Sequence, residues 1–132
     1  MVKRAMVLSV ILLFAVSGCK NKAAALKEAY EESIKVSESL ISELGKAGNE
    51  EEIAAAFNAW GDSAAKNSLK QKKLMKGGHI RLDDAELLKK MVDAAKKQAD
   101  AMADIFTKYP NNKRITDAYT KAAQKVADAQ RQ

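Results

Sequence analysis

Residues 49–76 read NEEEIAAAFNAWGDSAAKNSLKQKKLMK, and the class of the whole chain follows from this stretch. Asn49 is a good helix N-cap, and Glu52, three residues on, can complete a capping box. Ile53, Phe57, Trp60, Ala64, Gln71, Leu74 and Met75 recur at helical spacing, and Gly77-Gly78 ends the run. Apolar residues at steps of three and four mark an amphipathic helix, not a strand. Gly61 is the weak point, since glycine costs about 1 kcal/mol inside a helix. A kink there is the expectation, and a break, with Asp62 capping a new helix, would change the topology.

Three further stretches have the same character. From about Lys22 to Leu44 the stripe is Leu26, Tyr30, Ile34, Ser37, Ile41 and Leu44, with Leu40 beside it, and Gly45 and Gly48 terminate it. From about Asp84 to Thr107 it is Leu87, Met91, Ala94, Ala95, Gln98, Met102, Ile105 and Tyr109. Asp83 is the expected cap there and Pro110 the stop. From about Lys113 to Ala129 it is Ile115, Tyr119, Ala122, Val126 and Ala129, capped by Asn111 or Asn112. No strand pattern and no usable internal repeat occurs. Amphipathic helices joined by short loops must bury their stripes against one another. The expected fold is therefore all-α, a four-helix antiparallel up-down-up-down bundle.

Ahead of these helices the chain changes character. Lys3 and Arg4 precede an apolar run from Ala5 to Val16, too short to span a bilayer. A basic region, a short apolar region and small residues have the layout of an export signal. Val16-Ser17-Gly18-Cys19 resembles the lipobox of bacterial lipoproteins, in which an aliphatic and two small residues precede an invariant cysteine. The resemblance covers only the first 20 or so residues. It implies that residues 1–18 are a signal peptide, that Cys19 is lipidated and becomes the N-terminus, and that residues 19–132 form the domain. Where lipoproteins are sorted between two membranes, an aspartate after the cysteine usually marks inner-membrane retention. Lys20 stands there, which implies the outer membrane, facing the periplasm, in a Gram-negative envelope.

Cys19 is the only cysteine, so an intramolecular disulfide is impossible. The leader holds two of the 23 basic residues and none of the 17 acidic ones, which leaves the remainder at +4. That balance does not argue for nucleic acid, and export argues against it. It suits an anionic lipid surface or an acidic envelope protein.

Little of the remaining chemistry is catalytic. His79 is the one histidine, in the turn between the second and third helices, and a zinc site needs three or four ligands. Met91 and Met102 could ligate copper or haem, but core filling is the commoner use of methionine. The Glu50–Glu52 and Asp83–Glu86 clusters each open a helix, where negative charge complements the dipole. No catalytic residue, metal site or cofactor is assigned. Lys66, Lys70, Lys72, Lys73, Lys76 and Arg81 form an acid-free segment. With helix one starting at the anchor, Lys20, Lys22, Lys70, Lys72, Lys73, Lys76 and Arg81 are the expected contacts with the membrane surface. The functional expectation is a lipid-anchored envelope protein acting by binding or structural contact. The alternatives are a four-helix carrier of haem, copper or an apolar molecule, and an assembly subunit with a stripe wider than one core requires.

Overall fold

The structure, a computed structural model, describes residues 19–76 and 84–132. Four helices account for nearly all of them: α1 (Cys19–Lys46), α2 (Glu50–Met75), α3 (Ala85–Lys108) and α4 (Lys113–Arg131). No strand occurs among the described residues. Residues 1–18 and 77–83, the latter including His79, Arg81 and Asp83, lie outside the description.

The helix starts are set by local chemistry. Asn49 Oδ1 accepts from the Glu52 amide at 2.9 Å, satisfying one of the orphan donors of α2. Glu52 Oε2 reaches back to the Gly48 amide at 2.6 Å, one residue before the cap. At α3 the cap is Asp84, which accepts from Leu87 N–H at 3.0 Å. The sequence expectation of Asp83 is thus corrected by one residue. The pair Asn111-Asn112 divides its labour. Asn112 caps α4 through the Ile115 amide at 3.1 Å, while Asn111 takes the left-handed turn at φ 58. Asparagine is among the few side chains that tolerate that region. Gly45 does not end α1, which runs on to Lys46.

Gly61 does not break α2, which is helical through it. It is buried, and a Cβ there would lie 2.8 Å from both Cα and Cβ of Ala122. The glycine lets α2 and α4 touch backbone to backbone.

Helix neighbours are not simply those adjacent in sequence. α4 packs on α2, α2 on α1, and α3 on α1. No close backbone approach links α3 to α2 or α4. Between α2 and α4 the cross-contacts advance together: Glu50 with Asn112, Asp62 with Lys125, Lys72 with Gln130. Between α1 and α2 they run oppositely, with Ala29 against Asn67 and Leu40 and Leu44 clustered with Ile53 and Ala56.

The large side chains collect at one end. Leu40, Leu44, Ile53, Phe57, Ile105 and Ile115 form the core there, with Ala56 and Ala118. Tyr119 meets Phe57 and Phe106 edge-on at 5.6 and 5.7 Å, and lies parallel to Trp60 at 6.5 Å. Such aromatic pairs add roughly 0.5–1.5 kcal/mol beyond burial. These side chains, not a close backbone approach, join α3 to α2 and α4. Toward the other end the buried residues are mostly smaller: Leu26, Ala29, Leu87, Ala94 and Ala129. Two stripe positions are corrected. Met75 is 45% exposed, and Ala95 is exposed because α3 stands off from α2 and α4.

Candidate functional site

The C-terminal turns of α2 carry Lys66, Lys70, Lys72 and Lys73, and Lys76 is its C-cap. Cations there complement the negative end of the helix dipole. Lys70 Nζ lies 3.4 Å from Glu32 of α1, and Lys72 Nζ donates to the Gln130 carbonyl of α4 at 2.9 Å. These contacts bring the basic turns of α2 beside the N-terminal half of α1 and the last turn of α4, which adds Arg131. Both partners of the Lys70–Glu32 pair are half exposed, so the pair locates the helices more than it stabilises them.

Lys22 is exposed on the first turns of α1, Lys20 lies on the same helix, and Cys19 is the first residue of that helix. Arg81 falls outside the described residues, so its relation to the lysines is not part of this geometry.

Sequence reasoning missed an apolar component of this end. Leu69 and Met75, with Lys72, Lys73, Lys76 and Gln132, line an open depression of about 470 Å³. Lysines bordering exposed apolar side chains are a common interfacial arrangement, because their alkyl stems cover apolar surface while the ammonium stays wet. The available signal was Leu74-Met75 beside Lys72-Lys73, read as the end of a core stripe.

The opposite end carries both signs, paired with each other. Glu50 and Glu51 open α2, where Arg114 lies 3.6 and 3.1 Å from them, and Asn112 Nδ2 donates to Glu50 at 2.6 Å. At the basic end, Asp84 is ion-paired with Lys27 at 3.2 Å, fixing the start of α3 to α1. Its carboxyl is held below the ordinary aspartate value, first by the Leu87 amide and then by Lys27.

Among the described residues no group of three or more His, Cys, Asp or Glu side chains could hold a metal ion. Among the same residues no helix is long and apolar enough to cross a membrane. Compared with protein-family models, with curated proteins and with solved structures, the chain shows no match.

Proposed function

We propose that this chain is a lipid-anchored envelope protein, attached through Cys19 after removal of residues 1–18, and that it acts by binding or structural contact. The reading rests on the Val16-Ser17-Gly18-Cys19 motif behind a basic and apolar leader. Two acyl chains make anchoring durable where one gives only marginal binding, at about 0.8 kcal/mol per buried CH₂. In a Gram-negative envelope, Lys20 favours the outer membrane, facing the periplasm.

The finer topology belongs to this reading. Helices alternating up-down-up-down put the end of α2, the start of α1 and the end of α4 on one side. Because α1 begins at Cys19, that side is next to the lipid. Lys20, Lys22, Lys70, Lys72, Lys73, Lys76 and Arg81 then face anionic headgroups. The lipid holds the protein, and the charges orient it.

Mass spectrometry of the membrane fraction tests the anchor. A diacylated or triacylated N-terminal Cys19 is the expected species, and Cys19→Ser should leave an unprocessed, unlipidated chain. An intact Met1 terminus, or an unmodified Cys19 in mature protein, refutes the proposal.

A second reading, a subunit of an envelope assembly, is favoured by one observation. Leu88 and Val92 of α3 are 43% and 68% exposed. A concentration-dependent mass in light scattering, abolished by Val92→Glu, would support it.

A further inference from the structure

Three polar residues lie on stripes that should be apolar: Ser37 on α1, Gln71 on α2 and Gln98 on α3. All three are partly buried, and Gln98 Nε2 makes only a weak donation to Met102 Sδ at 3.8 Å. All three line one cleft, where α3 stands off from α2 and α4, and α4 adds Gln130. The cleft has a volume of about 310 Å³, at the small end for ligand sites.

Asn67 lines the same cleft and is 6% exposed. Its Nδ2 donates to the Ala29 carbonyl at 3.0 Å, but Oδ1 has no partner. A buried acceptor left unpaired costs about 1–3 kcal/mol. Trp60 supplies an aromatic wall, and no ionisable side chain lines the space.

We infer that this cleft is a binding site for a small uncharged ligand bearing hydroxyl groups around an apolar face, of monosaccharide size. Neutral amides and a serine hydroxyl can both donate to and accept from hydroxyls. Asn67 Oδ1 is a buried acceptor without a donor, set in the wall of this cleft. Trp60, with Val36, Ala64 and Val126, supplies the apolar part of the lining that the less polar face of a sugar ring requires. A charged ligand would find no counter-charge in this lining. The inference is independent of the lipid anchor.

Trp60 is the only tryptophan and borders both this cleft and a charged groove holding Glu32, Lys35, Glu43 and Lys66, so the Asn67 and Gln98 variants, which line only the cleft, assign the response. The purified protein is titrated with glucose and N-acetylglucosamine, and with glucuronate as the charged control. A saturable change in Trp60 emission with at least one neutral sugar is expected, with glucuronate at least tenfold weaker. Gln98→Leu and Asn67→Leu should each weaken the response at least tenfold. Gln98 is only partly buried, so its variant keeps the test valid if Asn67→Leu does not fold. No saturable response to either sugar means that the cleft holds water only, and overturns the inference. So does a response to glucuronate of equal strength, or one unchanged in Gln98→Leu.

Discussion

Gly61 of α2 lies so close to Ala122 of α4 that a methyl group on Gly61 would meet Ala122 Cα and Cβ at 2.8 Å. Part of that obstacle is backbone, so no rotamer change relieves it. Two terms compete in Gly61→Ala. Helix propensity favours alanine by about 1 kcal/mol, while overpacking costs typically about 1–3 kcal/mol. Overpacking should win, and the melting temperature should fall. Gly45, within α1, has nothing within 4 Å of its would-be Cβ. Gly45→Ala should therefore raise the melting temperature. Thermal denaturation of the two variants checks the opposite signs. A rise in both would mean that α2 and α4 are not in backbone contact.

Phe57 is fully buried at the meeting point of α2, α3 and α4, and Ile105 is 6% exposed beside it. Phe57→Ala should cost about 3–5 kcal/mol and Ile105→Ala about 2–5 kcal/mol, by lost transfer energy plus the cavity left behind. Val92, 68% exposed, is the control, and Val92→Ala should stay within about 0.5 kcal/mol. Urea unfolding measures all three, and comparable losses at buried and exposed sites would remove the core assignment.

Asn49→Ala should cost about 1 kcal/mol, because the Glu52 amide loses its acceptor. Asp84 adds a pH dependence. Its folded pKa lies below the ordinary 3.8, so its contribution to stability is present above that value. The contribution is lost as pH falls through the lower folded value. Asp84→Asn keeps a capping oxygen but not the charge opposite Lys27. Melts of both proteins between pH 7 and pH 2.5 should show a constant gap near neutrality that closes in acid. No gap at neutral pH would assign Asp84 a capping role only, and a gap independent of pH would exclude its charge as the cause.

Four helices were legible because leucine, isoleucine and aromatic residues repeat at helical spacing, and because Asn49 announces a cap chemically. What escaped notice was carried by residues that hydropathy does not mark. Ala56 and Ala118 are core residues, yet alanine sits on every face of these helices. Gly61 looked like a defect because its value lies in a partner helix, 61 residues further on. Asp83 and Asp84 are equivalent to any capping rule, and only the backbone geometry separates them. Packing of α3 on α1, and of α4 on α2, was also hidden. Short loops fix where a helix starts, but not which neighbour its stripe selects. The lysines of α2 were visible as a run, whereas the exposed Met75 among them was not, since it falls in register with the core stripe.

The proposed orientation makes the two ends of the bundle unequal toward an anionic surface, and lysines at both ends allow a matched comparison. Lys72, Lys73 and Lys76 close α2, whereas Lys108 ends α3 and Lys113 opens α4, at the end where Glu50 and Glu51 lie. A basic side chain near an anionic bilayer contributes about 1 kcal/mol, so removing three should weaken binding at least about tenfold. A soluble form lacking Cys19 should bind phosphatidylglycerol vesicles, ignore phosphatidylcholine vesicles, and dissociate as salt shortens the Debye length from about 10 Å at 0.1 M. Changing Lys72, Lys73 and Lys76 to Gln should reduce that binding, whereas Lys108→Gln with Lys113→Gln should leave it intact. Lys72 also donates to Gln130, so thermal melts must first show that the triple variant is folded. Vesicle sedimentation then decides. Equal losses in the two variants would mean that net charge, not position, governs the contact, and the orientation would be wrong even if Cys19 carries the lipid.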